Sequence, residues 1–137
     1  MKILIDVPSE SEIRDRSQET FVAKDGDLWS KDSVGKFATL RGVYVHCAGD
    51  EILYVGKTTR GGYGTFGERL RRECQSKSAH DWRIYELLLD QKSVRTAFIT
   101  LDEIESRICP RGLFVDDLLL LFQRALIAAY QPNGNIV

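Results

Sequence analysis

The sequence predicts an α+β fold, a small three-stranded antiparallel sheet flanked by helices in the order ββααβ(α)α, and three observations carry that prediction. Two β-rich runs, GVYVHCA (42–48) and EILYVG (51–56), flank Gly49-Asp50, the pattern of a tight hairpin. A third run, VRTAFITL (94–101), alternates as a strand. Between and after these lie stretches with helical apolar spacing, FGERLRRECQSK (66–77), WRIYELLLDQ (82–91) and residues from about Leu113 to Tyr130.

The elements follow in order. Residues 1–39 are polar and irregular in pattern, so they read as an N-terminal extension packed on the domain of residues 40–137. Phe21, Leu28, Trp29 and Phe37 are its candidate anchors, with a strand near residues 2–6. Thr65 followed three residues later by Glu68 has the spacing of a capping box ahead of the first helix, and Asp81 could cap the second. DEIESRI (102–108) is a short helical stretch stopped by Pro110 and Gly112. Pro132 ends the last helix, and Asn133-Gly134-Asn135 follows.

The chain has 137 residues, 43% hydrophobic and 28% charged, a composition rich enough in apolar side chains to bury a core and incompatible with disorder as the default state. Nineteen basic residues against 20 acidic ones leave a net charge of -1, which disfavours a generic polyanion binder and confines any nucleic-acid contact to a local site. Cys47, Cys74 and Cys109 form no CxxC pair and only two histidines are present, so a structural zinc site and a disulfide framework are both disfavoured and the thiols are expected to stay reduced. The apolar stretch at the N-terminus is too short for a signal peptide, and the run from Leu118 to Phe122 is too short to span a bilayer. A cytoplasmic protein with no membrane contact is the expectation.

Strand alternation places Tyr44 and His46 on one face of the first strand, with Val43, Val45 and Cys47 on the other. In the second strand it places Ile52 with Tyr54, opposite Leu53 and Val55. With an odd number of residues in the hairpin loop, Tyr44 would stand directly across from Tyr54, and the two phenols would share an exposed surface. A cross-strand aromatic pair is the structural alternative.

Gly42-Val43-Tyr44 and Tyr54-Val55-Gly56 resemble the paired tripeptides that name the GIY-YIG nuclease family, with Val in both central positions. Lys57 after the second tripeptide, Arg69 on the following helix and the Pro132-x-x-Asn135 element fit the same pattern in the same order. The resemblance covers roughly residues 40–137. It implies hydrolysis of DNA phosphodiesters with one divalent ion, Mg²⁺ or Mn²⁺. By that analogy Tyr44 accepts a proton from the attacking water, its phenol acidified by Lys57 and the ion. Tyr54 hydrogen-bonds the scissile phosphate or orients the water, and Arg69 offers a bidentate fork to phosphate oxygens. Gly42, Gly56 and Asn135 are structural at the site, Asn135 bracing the C-terminal turn.

The family's metal-binding glutamate falls twelve residues before the terminal Asn, which is Gln123 here. A neutral amide lacks the charge that makes a carboxylate a good ligand for a hard dication. Three explanations stay open. Gln123 could be an engineered Glu→Gln change, a natural residue of a binding module that does not cleave, or the mark of an enzyme whose carboxylate comes from elsewhere. Glu73, one turn after Arg69, and Asp116, about two turns before Gln123, are the candidates for that role.

Between Lys57 and Lys77 six basic residues, Lys57, Arg60, Arg69, Arg71, Arg72 and Lys77, stand against Glu68 and Glu73. Arg60, Arg71, Arg72 and Lys77 are therefore candidate DNA contacts. His46 is expected to be a satisfied surface histidine rather than part of the site rim. The glycines at 61–64 lack the Gly-Lys-Ser/Thr ending of a P-loop and read as a flexible loop beside the DNA. The competing expectation is a catalytically dead module that binds nucleic acid or protein, and a homodimer or larger nuclease assembly is compatible with either.

Overall fold

A computed structural model describes residues 2–22, 34–59, 64–73, 87–88, 90–91 and 93–135. The fold is α+β with antiparallel sheets. In chain order the elements are β1 (Leu4–Ile5), α1 (Glu10–Arg16), β2 (Gln18–Val22), a 3-10 turn (Gly35–Phe37), β3 (Gly42–Ala48), β4 (Glu51–Lys57), α2 (Phe66–Glu73), β5 (Ser93–Thr100), α3 (Leu101–Arg107), β6 (Ile108–Cys109), α4 (Val115–Tyr130) and a 3-10 turn (Asn133–Asn135).

The main sheet has four strands, not three, in the order β2-β5-β3-β4, and β1 pairs with β6 in a separate two-stranded ribbon. The additional strand comes from the N-terminal segment. Its sequence, QETFV, mixes polar and apolar residues without a clean alternation because a bulge between Glu19 and Phe21 breaks the period of two. Ion pairs hold this segment to α3. Arg16 meets both carboxylate oxygens of Glu103 at 2.8 and 2.6 Å, and Arg107 reaches Asp6, Glu12 and Glu103 at 3.0 Å each.

Three helix starts are capped as their sequences dictate. Glu12 donates its amide to Ser9 Oγ at 3.1 Å, Glu68 to Thr65 Oγ1 at 3.4 Å and Glu103 to Thr100 Oγ1 at 3.4 Å. Most of the predicted second helix lies outside the described residues; Leu87 and Leu88 are helical. The expected anchors Leu28 and Trp29, and the side chain of Phe21, also lie outside them, whereas Phe37 stacks on Phe98 with centroids 4.9 Å apart. Among the described residues no helix is long and apolar enough to cross a membrane.

The sheet separates two cores. On one face Val43, Val45, Cys47, Ile52, Val55, Ala97 and Ile99 pack against Leu118, Leu119, Phe122 and Leu126 of α4, with Ile13 and Ile104. Burial there pushes the Cys47 thiol up to about 11, keeping it protonated. On the other face Tyr44, Leu53, Tyr54 and Phe98 pack beneath Phe66 and Leu70 of α2.

The hairpin turn is Gly49-Asp50, and a bulge beside His46 and Cys47 changes the register predicted from alternation. His46 pairs with Tyr54 and Cys47 with Ile52, leaving Leu53 as the extra residue. Ile52 therefore joins the α4 face, and Leu53 and Tyr54 both join the Tyr44 face. Tyr44 stands across from Gly56, not Tyr54, so the two tyrosine rings meet diagonally with centroids 6.3 Å apart. Nor is the surface they share exposed: α2 covers it, leaving Tyr44 0% and Tyr54 9% exposed.

Candidate phosphate-binding site at the tyrosine corner

Two glycines let the backbone approach closely enough to build this corner. A Cβ on Gly56 would fall 2.2 Å from both the Tyr44 Cζ and its hydroxyl oxygen, so the ring lies flat on the β4 backbone only because residue 56 is Gly. A Cβ on Gly42 would fall 2.0 Å from the Ile99 carbonyl oxygen of the neighbouring strand. Thr58, just past β4, clasps Gly42 from both sides. Its amide donates to the Gly42 carbonyl at 3.0 Å, and its Oγ1 accepts from the Gly42 amide at 3.2 Å.

Arg69 contacts the phenol, and its charge also acts on Lys57, as does that of Arg41. Arg69, half-buried on α2, donates from Nε to the Tyr44 hydroxyl at 3.1 Å. Burial pushes the Lys57 ammonium at the end of β4 below its usual range, and the charges of Arg69 and Arg41 add to that effect while Asp116 opposes it. Arg41 reaches Asp116, in the first turn of α4, at 3.5 Å, and among the described residues its buried Nε has no hydrogen-bond partner. Arg41 carries no motif signal and Thr58 resembles any loop threonine, so neither stands out in the sequence; their place directly before Gly42 and directly after Lys57 is the only clue.

Gln123 reaches the backbone of β4. Its Nε2 donates to the Val55 carbonyl at 3.2 Å. Asn135 holds the same residue with both ends of its amide, Oδ1 accepting from Val55 N at 2.8 Å and Nδ2 donating to Val55 O at 2.9 Å. Because β4 is an edge strand, these two side chains occupy backbone groups that a further strand would otherwise take. Gly134 allows the approach, since a Cβ there would meet the Leu53 carbonyl oxygen at 2.5 Å. Asn135 thus braces the C-terminal turn against β4, as the sequence suggests.

Among the described residues, the side chains expected to hold a Mg²⁺ or Mn²⁺ ion do not form a charged ligand set. Gln123 is neutral, with its amide nitrogen engaged by a carbonyl, and Asp116 is held by Arg41. Among the described residues no three His, Cys, Asp or Glu side chains group as a metal site.

His46, expected at the surface, is fully buried: its ring lies 5.1 Å from that of Tyr44 and 6.2 Å from that of Tyr54, and Nδ1 is 2.8 Å from Thr96 Oγ1. It lies on the same face of β3 as Tyr44, between the rings of Tyr44 and Tyr54 and the hydroxyl of Thr96. Arg71 is exposed on α2. Arg72 and Glu73 belong to the same helix, but their side chains, like Arg60 and Lys77 altogether, lie outside the described residues. Comparison with models of known protein families, with curated proteins and with solved structures returned no match.

Proposed function

We propose that this protein is a DNA endonuclease of the GIY-YIG type, gripping a backbone phosphate at the corner formed by Tyr44, Lys57, Arg69 and Arg41. The observation that carries this reading is the hydrogen bond from Arg69 Nε to the Tyr44 hydroxyl beside the half-buried Lys57. Arg69 places positive charge at the phenol oxygen, the atom that would take a proton from water attacking phosphorus. The guanidinium and ammonium offset charge developing on the phosphate oxygens. Tyr54, in the same aromatic layer, supports the Tyr44 ring. The divalent ion of the nuclease reading, Mg²⁺ or Mn²⁺, has no charged ligand at residue 123, so no step is assigned to it.

One observation favours a second reading. The Gln123 amide braces Val55 as a structural residue would, which suits a module that retains the fold and binds DNA without cutting it. Salt-dependent binding to duplex DNA, paired with plasmid nicking, separates the two. Binding with Tyr44-dependent nicking supports the endonuclease. Binding without nicking, by the native chain and by Gln123→Glu alike, supports the module, and no binding at low salt removes both.

A further inference from the structure

A row of polar side chains crosses the whole sheet on the tyrosine face. Thr20 on β2, Thr96 on β5 and His46 on β3 lie side by side and are all buried, and Tyr54 on β4 is the cross-strand partner of His46. Thr20 is the extra residue of the β2 bulge, and the bulge turns its hydroxyl inward.

The hydrogen bonds in this row have only one consistent direction. Thr20 Oγ1 is 3.1 Å from the Val94 carbonyl, which can only accept, so the Thr20 proton goes there. The 2.8 Å contact between Thr20 and Thr96 must then be filled by the Thr96 proton. With that proton used, Thr96 Oγ1 can only accept across its 2.8 Å contact with His46 Nδ1. His46 must carry hydrogen on Nδ1, and in the neutral ring Nε2 is the acceptor.

We propose that His46 is a positioning residue of the tyrosine corner, locked as the Nδ1–H tautomer by the hydroxyls of Thr96 and Thr20, with Nε2 left as its acceptor nitrogen beside the rings of Tyr44 and Tyr54. The N-terminal strand would then set the chemistry of a ring beside Tyr44 from across the sheet. The rings of Tyr44 and Tyr54 lie against that of His46, with centroids 5.1 and 6.2 Å away. Its consequence for DNA chemistry rests on the reading of those tyrosines proposed above.

Nitrogen NMR of ¹⁵N-labelled protein at neutral pH tests this without DNA. The chain has two histidines, and His80→Gln identifies the other signal. The native protein is expected to show a pyrrole-type Nδ1 and a pyridine-type Nε2 at His46. Thr20→Val removes the acceptor for the Thr96 proton, so Thr96 turns to donate to Nδ1 and the two nitrogen signatures exchange. Thr20→Ser restores them. The Cζ shift of Tyr44 or Tyr54 should move in Thr20→Val and return in Thr20→Ser. An Nε2–H or doubly protonated ring in the native protein overturns the assignment, whatever the variants do. A folded Thr20→Val with an unchanged tautomer overturns the relay, and an exchanged tautomer with both tyrosines unmoved overturns the link to the site. A protein that never cuts DNA leaves all these outcomes readable.

Discussion

Arg69 Nε donates to the Tyr44 hydroxyl at 3.1 Å, tying a helix cation to a buried strand phenol. The same guanidinium is one of two that hold the Lys57 ammonium below its usual range, with burial as the larger cause and Asp116 opposing it. Arg69→Gln should therefore raise the Lys57 pKa, and Asp116→Asn should lower it further. Titration of the lysine Cε signal by NMR checks both directions; equal movement in the two variants would contradict the arrangement.

Gly56→Ala drives a methyl group into the Tyr44 ring from 2.2 Å, and the neighbouring atoms belong to a packed core. Overpacking of this kind costs roughly 2 to 3 kcal/mol. Denaturant unfolding should show that loss, and the same Gly56→Ala change made in a Tyr44→Ala chain should cost less than it does in the native one.

Residue 123 separates bracing from ligation. Gln123→Glu removes the donor to Val55 O and sets a carboxylate beside that carbonyl, so it should destabilise the fold by about 1 to 3 kcal/mol. Asn135→Ala loses both of its bonds to Val55 and should cost at least as much. A Gln123→Glu variant as stable as the native chain would argue that the amide is not a brace.

Glu103 is held below the usual carboxylate range, chiefly by its hydrogen bond from Arg16 and also by Arg107, against the opposing effect of burial. Because its folded pKa is depressed, the stabilisation is present above the unfolded value and is lost as pH falls through the folded one. Stability measured from pH 6 down to pH 2 should fall less steeply in Glu103→Gln, which already lacks the pair. The variant should also be roughly 1 to 2 kcal/mol less stable at pH 7, since these bonds are only partly shielded from water.

The hairpin, β5, the last helix and the capping threonine were legible because each rests on local periodicity or a single side chain. The register was not. A bulge costs one residue and leaves no mark in apolar spacing, yet in β4 it moved Ile52 to the opposite face and set His46, not Tyr44, across from Tyr54. The fourth strand was hidden for the same reason, since the bulge at Thr20 scrambles the alternation of QETFV. At the corner, Tyr44, Arg69 and Lys57 were legible from their order in the chain. Arg41 was not, because its role depends on Asp116, 75 residues away.

Nicking of supercoiled plasmid tests the central claim most directly. With Mg²⁺ or Mn²⁺ present, Gln123→Glu, which supplies a carboxylate at the position of the family's metal ligand, is expected to give nicking above the native level. Adding Tyr44→Phe to that variant should lower the rate by at least roughly 100-fold, the scale of a lost acid–base group. A folded Gln123→Glu variant that leaves the plasmid intact with either ion, or one whose cutting survives Tyr44→Phe, would contradict it.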